Sequence, residues 1–348
     1  MKYIDKIKSL PKKEDPIILA IESSCDETAC AILKGGREVL SSEIISSASV
    51  HAIYGGVVPE IASRAHTDAI DKVVYKALNK ANLTFSDLDA IAVTYGAGLL
   101  GALLVGVSYA KALAFSLGIP LIPVSHIRGH LAAAYLSDKE LKPPFITLLA
   151  SGGHTAIIHV LDYDNFEILG STLDDAVGEA FDKVARVLNL PYPGGPEIDK
   201  LAKNGQHKYK FPVSNSLKGT LNFSFSGIKT AVVNTVHNLN QKGEEFDKAD
   251  IACSFQESVT DELSTKAIAA CKQTGINKLV IAGGVGANSR LYEKLSQKCK
   301  QNEVTLYRPV LKYCTDNAAM IGSAGYYMMK NGVGLADLTL TAKANVNL

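Results

Sequence analysis

Apolar residues along this chain fall into two kinds of run. Short, nearly unbroken stretches bounded by glycine, serine or proline read as strands. Longer segments, in which apolar positions recur every three or four residues, read as helices. Both kinds occur twice in one layout. "PIILAIESSCDETACAIL" (16–33) and "PFITLLASGGHTAIIHVL" (144–161) each begin with proline, run apolar, break into small polar residues and run apolar again. Each predicts a β-hairpin whose turn is rich in backbone N–H donors. The two lie 128 positions apart, and each is followed by helical periodicity and a strand–glycine–helix unit, "LDAIAVTYGAGLLGALLVGVSYAKAL" (88–113) and "INKLVIAGGVGANSRLYEKL" (276–295). The duplication predicts an α/β protein of two similar lobes with a central cleft.

The 348 residues, 47% hydrophobic and 20% charged, suffice for two ordinary cores. We expect a tail over 1–16, a first lobe over 17–145 and a second over 146–319, with a C-terminal helix (320–345) returning to the first. The formal net charge of +1 supplies no global field toward nucleic acid or an anionic membrane, so any RNA contact needs a local patch or a partner. Six cysteines form no CxxC pair and read as reduced, mostly buried thiols. The lysine-rich N-terminus carries Asp5, Glu14 and Asp15 and fits neither a signal nor a transit peptide. With no apolar run near 20 residues, no membrane span is expected, and the compartment expected is the cytoplasm.

Glycine-rich turns at strand ends commonly cradle phosphates, because bare N–H groups and helix N-termini favour an anion. Several such turns in matched positions point to a bound nucleotide. "GAGLLG" (96–101) fits the dinucleotide fingerprint, but the next strand, "IPLIPVSH", lacks the acid that would hold a ribose. A Walker A lysine motif is also absent, which removes the P-loop class.

The pair His126 and His130 in "HIRGH" would share one helix face and could share one metal ion. A zinc protease needs a general-base glutamate after the first histidine, and position 127 is Ile. The first hairpin turn carries Glu22, Asp26 and Glu27. Three acids would repel a phosphate unless a cation intervened, so they are candidates for a metal-bearing or proton-accepting site, with a solvated hairpin tip as the alternative. His51 and His66 read as core or interface residues. Between Lys200 and Lys229 there are six lysines and no acid, interleaved with Tyr209, Phe211, Phe223 and Phe225. Either this stretch, with Lys208, Lys210 and Lys218, meets RNA, or it is a solvated loop over a small aromatic core.

Many long motifs in one order, "IESSCDETACAI", "HAIYGGVVPEIASRAH", "HIRGHL", "LASGGHT", "GEAFDKVARVLNLPYPGGP", "FSFSGIKTAV", "GGVGAN" and "TDNAAMIG", make the chain resemble the tRNA adenosine threonylcarbamoyltransferase family, TsaD in bacteria, once described as a sialoglycoprotein endopeptidase. The resemblance implies the duplicated actin-like, sugar-kinase-like (ASKHA) ATPase fold. It implies transfer of a threonylcarbamoyl group from threonylcarbamoyl-AMP to the N6 amine of adenosine 37 in tRNAs reading ANN codons. The small protein TsaB and the ATPase TsaE are the implied partners, with a homodimer or heterodimer possible and no membrane. In the family's pattern Ala150, Ser151, Gly152, Gly153 and His154 form the phosphate loop, and Asp182, Gly195, Asp199 and Asn288 contact the nucleoside. Asp316 completes a His–His–Asp set with His126 and His130 across the cleft, holding one divalent ion, Fe(II) with Zn or Mg as alternatives. A non-enzymatic actin-like scaffold, a sugar kinase and a metalloprotease are the rival functions.

Overall fold

The computed structural model describes residues 9–212, 217–332 and 334–346. Half of the expected tail, 1–8, lies outside them, as does 213–216 of the lysine-rich stretch. The chain divides into two compact units, one built from Met1–Lys142, Asp162–Asn165 and Pro309–Leu348, the other from Pro143–Leu161 and Phe166–Arg308.

In the first unit the expected hairpin forms from β1 (Ile17–Glu22) and β2 (Glu27–Lys34), to which β3 (Glu38–Ser46), β4 (Ala90–Gly96) and β5 (Leu121–Ser125) add in the order β3-β2-β1-β4-β5. The β1/β2 and β2/β3 pairs are antiparallel, and β1/β4 and β4/β5 parallel. Helices on both sides bury the central strands, which explains why β1 is apolar at consecutive positions. The short helix α1 (Ala48–Ala52) precedes α2 (Pro59–Ala81), which starts on a proline and buries Ala62, His66, Ala69, Ile70, Val73, Ala77 and Leu78 at helical spacing. Helix α3 (Leu100–Leu117) packs beside it and ends at Gly118, whose φ of +58° suits a residue without Cβ.

By length and composition alone α3 is apolar enough to cross a membrane, which corrects the expectation that the chain has no such run. Ser108, Tyr109, Lys111 and Ser116 interrupt the run without offsetting its many Leu, Ala and Val residues. Here Ala102, Leu103, Gly106, Val107, Ala110 and Ala114 are buried in the unit's core. The unit is completed by α4 (His126–Ala132), which follows β5 directly, and by α10 (Ala318–Lys330).

The second unit repeats the plan. Strands β6 (Phe145–Ala150), β7 (Thr155–Val160), β8 (Phe166–Ser171), β9 (Lys278–Ala282) and β10 (Thr305–Tyr307) run β10-β9-β6-β7-β8, with β6/β7 and β7/β8 antiparallel and β6/β9 and β9/β10 parallel. Its helices are α5 (Val177–Val187), α6 (Gly194–Ala202), α7 (Ser226–Lys242), α8 (Lys248–Thr274) and α9 (Ser289–Gln301). The 27-residue α8 lies at the centre of the core, burying Ile251, Phe255, Val259, Leu263 and Ala267.

Several boundaries differ from the sequence reading: residues 143–145 belong to the second unit and 162–165 to the first. Residues 309–319 belong to the first unit rather than the second, so Asp316 shares a unit with His126 and His130 and does not face them across a cleft. The C-terminal helix stops at Lys330 instead of continuing to 345, and glycines at 332 and 334 with positive φ follow it. Beyond them the chain is irregular, with a turn at 338–339: Ala336 bridges Leu121, and the Lys343 N–H donates to Tyr95 O at 2.8 Å.

Candidate functional sites: a His–His–Asp group and a glycine-backed loop

In the first unit, "HIRGH" is helical, as its spacing predicts. Gly129, between the two histidines, is what lets α10 approach: a Cβ there would lie 2.6 Å from Ile321 Cδ1 and 3.2 Å from Met320 Cγ. Asn317 caps α10, its side-chain oxygen accepting the Met320 N–H at 3.0 Å and its amide donating to Thr315 O at 2.8 Å. Gly322 and Gly325 let the same helix settle on the sheet against Leu33, Ala20 and Ala92. These contacts place Asp316, the residue before the cap, beside α4. Its Oδ1 lies 3.4 Å from His126 Nε2 and 3.2 Å from His130 Nε2. One ligand atom from each of the three lies within 4.8 Å of the others.

His130 is 1% exposed, and among the described residues neither ring nitrogen has an aligned hydrogen-bond partner. A buried imidazole left so is unusual, and two imidazole nitrogens plus a carboxylate oxygen form a donor set that a divalent metal can use. The residues therefore fit the implied ion. The Asp316 side chain is 24% exposed, so the group is open on one side. Burial alone would raise Asp316, but the two imidazoles hold it well below the usual carboxylate range. His126 shows the converse: burial lowers it, yet Asp316 and Glu22 hold it well above the usual histidine range.

The acids of the first turn separate. Glu22 ends β1 and is 0% exposed, which excludes the solvated hairpin tip for this residue. One oxygen accepts the Ser24 N–H at 2.6 Å; the other accepts the Thr94 hydroxyl at 2.6 Å and faces His126 Nδ1 at 3.1 Å. Despite burial, His126 keeps it below the usual range. Glu27 behaves oppositely, pushed up to about 9 first by burial and then by a hydrogen bond with Asp26. His66, a core residue as expected, braces this turn. Its Nε2 faces Cys25 O, which can only accept, so Nε2 donates at 3.0 Å, and Nδ1 accepts from Thr28 Oγ1 at 2.7 Å. His51 is also fully buried, its Nδ1 accepting the Val58 N–H. None of the six cysteines forms a disulfide, and four of them are buried.

In the second unit, Ser151–His154 is the β6/β7 turn, closed on itself by Ser151 N–H to His154 O at 2.8 Å and His154 N–H to Ser151 Oγ at 3.1 Å. Gly152 and Gly153 are exposed, and among the described residues no acceptor takes their N–H groups. The loop rests on two glycines that the sequence reading passed over. A Cβ on Gly178, at the start of α5, would lie 2.6 Å from Ser151 O; one on Gly283, at the end of β9 with φ +87°, would lie 2.4 Å from Ala150 O. The loop thus sits at the carboxyl ends of β6 and β9, where open α/β sheets bind ligands.

The other predicted nucleoside contacts, Asp182, Gly195, Asp199 and Asn288, lie in the same unit. Asp182 Oδ1 accepts the Gly194 N–H at 2.7 Å, and burial raises this carboxyl despite the amides of Gly194 and Gly195. Gly195 has open space where a Cβ would stand. Asp199 receives Ser289 Oγ at 2.9 Å. Asn288 is largely committed to structure: its oxygen caps α9 by accepting the Leu291 N–H at 2.9 Å, and its amide donates to Gln256 at 3.0 Å.

The lysine-rich stretch is corrected in part. Phe223 and Phe225 are fully buried and Phe211 nearly so, so these rings form core instead of stacking surfaces. Lys208 pairs with Asp250 at 2.6 Å and Lys229 with Asp175 at 2.8 Å. Lys210 and Lys218 are exposed without a carboxylate partner among the described residues.

The comparisons with known proteins decide the family. Residues 38–323 match the sequence profile described as TsaD: tRNA N6-adenosine threonylcarbamoyltransferase. The chain belongs to this family. A relative of that name from Clostridioides difficile (strain 630) is 55% identical over 335 residues, 96% of this chain and 99% of its own length. Another from Clostridium perfringens (strain 13 / Type A) is 54% identical over 95% of this chain and 98% of its own. The T. kodakarensis HypF structure aligns with a TM-score of 0.62 and 15% identity, covering 91% of this chain and 48% of that one, a likeness of fold alone. The fold is the duplicated actin-like one. The chain is thus an acyltransferase that places a threonylcarbamoyl group on the N6 amine of a tRNA adenosine, and the scaffold, kinase and protease readings fall away.

Proposed function

We propose that the donor is threonylcarbamoyl-AMP and the acceptor adenosine 37 of ANN-reading tRNAs, with TsaB and TsaE as partners in the cytoplasm. The observation carrying the donor assignment is the exposed Gly152–Gly153 turn backed by Gly178 and Gly283. Such a turn suits an adenylate phosphate, since its amides meet the anion without a side chain intervening. Asp182 and Gly195 would receive the ribose, and Asp199 and Asn288 would shape the adjoining wall.

His126, His130 and Asp316 would hold one divalent ion, iron(II) with zinc or magnesium as alternatives, and three protein ligands would leave positions open for substrate. When bound, that ion supplies Lewis-acid polarisation and a template for an oxygen ligand. The Asp26–Glu27 pair, which shares a hydrogen bond, is the candidate to take the proton that the N6 amine loses. Lys210 and Lys218 would steer tRNA.

The test is to supply the chain and its two partners with synthetic adenylate and an ANN-reading tRNA. We expect one AMP released per modified adenosine and no transfer by a Gly152→Val variant, whose Cβ meets nothing in the fold. Transfer from the adenylate unaffected by Gly152→Val would overturn the donor site.

A further inference from the structure

We infer that Glu22 is a positioning residue that fixes the ring tautomer of His126, leaving Nε2 as the ligating nitrogen; this rests on the proposed His–His–Asp ligand set. Sequence reasoning grouped Glu22 with the reactive acids of the turn. Its surroundings leave it no access to substrate: it is fully buried, and both oxygens are engaged by Ser24 N–H, Thr94 Oγ1 and His126 Nδ1.

A backbone N–H can only donate, so Ser24 holds one oxygen of a group that accepts. An ionised carboxylate offers no proton, so His126 Nδ1, at 3.1 Å, must carry the hydrogen that joins them. Ser24 Oγ, also 3.1 Å from Nδ1, then serves as a second acceptor. Nε2, which faces Asp316 Oδ1 at 3.4 Å, is then the nitrogen left to give up its hydrogen to an ion. His130 has no such arrangement, its Nδ1 being buried without a partner among the described residues. The two histidines are therefore unequal, and one buried carboxylate orients the first of them, as such outer partners do at metal sites.

Glu22→Gln tests this because the replacement keeps the shape and inverts the donor pattern. Ser24 N–H would pin the amide oxygen, so the NH2 would face Thr94 and His126 Nδ1. The imidazole proton would then move to Nε2 and block ligation. In the full-length chain, titrated with zinc(II) against a chromophoric chelator, we expect affinity to fall about 10–100-fold in Glu22→Gln. In the 15N spectrum of the zinc-loaded parent, we expect His126 to carry its proton on Nδ1 and to be metal-shifted at Nε2. That spectrum decides the matter even if Glu22→Gln does not fold.

Zinc bound through His126 Nδ1 in the parent, or parent-like affinity in a folded Glu22→Gln variant beside a weakened Asp316→Ala, overturns this inference alone. Equal affinity in parent and Asp316→Ala overturns the ligand set and this inference with it.

Discussion

Replacing Gly178 by alanine probes whether the phosphate loop works through its backbone position. The added Cβ would stand 2.6 Å from Ser151 O, 2.7 Å from Gly152 Cα and 2.8 Å from Gly152 N, against an ordinary contact distance of 3.4 Å or more. All three atoms are backbone, so no side chain can rotate away; loop or helix must shift by about 0.6–0.8 Å. Overpacking of this kind costs about 1–3 kcal/mol, offset by up to about 1 kcal/mol from the higher helix propensity of alanine. The net stability loss is therefore modest, about 0–3 kcal/mol by the same figures. Binding should suffer more. A hydrogen bond to a charged phosphate contributes about 1.5–3 kcal/mol, so misplacing one amide should weaken AMP about 10–150-fold. Gly227→Ala is the matched control, since it too lies at the second position of a helix and its Cβ meets nothing within 4 Å. Calorimetric titration with AMP and a thermal melt on both variants give the comparison. Equal AMP affinity in Gly178→Ala and Gly227→Ala would refute the claim that this close approach sets the loop.

Three further outcomes follow from the same geometry. Lys210→Ala/Lys218→Ala should lower the slope of log affinity for tRNA against log salt by about 1.4–1.8, whereas Lys208→Ala, already paired with Asp250, should change it far less; equal slopes in all three proteins would remove the patch. Because the folded-state pKa of Glu27 is raised from 4.5 to about 9, its contribution to stability is complete below about 4.5 and is lost as pH rises toward 9. Melting temperatures from pH 5 to 9 should accordingly fall more steeply for the parent than for Glu27→Gln, and parallel curves would contradict the shift. Asn288→Ala removes a helix cap and leaves Gln256 without its donor, so denaturant titration should show a loss of about 1–3 kcal/mol, and an unchanged midpoint would show that the cap is dispensable.

The elements that were legible in the sequence are those whose signal is local. The paired hairpins at 17–34 and 145–160 could be read because their strands are buried on both faces and so are apolar at successive positions, with small polar residues marking each turn. The i, i+4 spacing of His126 and His130 was equally legible, since a helix alone brings them to one face. The third member of that set, Asp316, came from family resemblance, and only the fold brought it to the same unit. Gly129 had to be small enough for α10 to approach, and Asn317 had to cap that helix, before a carboxylate 186 positions away could meet His130.

Charge was the least legible property along the chain, because ionic partners are chosen by folding rather than by sequence distance. The lysine-rich stretch contains no acid, yet Asp250 and Asp175 reach it from other elements, and its phenylalanines turn inward. Three carboxylates within six residues looked alike on paper. Tertiary packing sent Glu22 beneath a histidine and raised Glu27 toward neutrality, because burial penalises a charge unless a donor or cation stands beside it; among the described residues Glu22 has such donors in Ser24 and His126, and Glu27 has none.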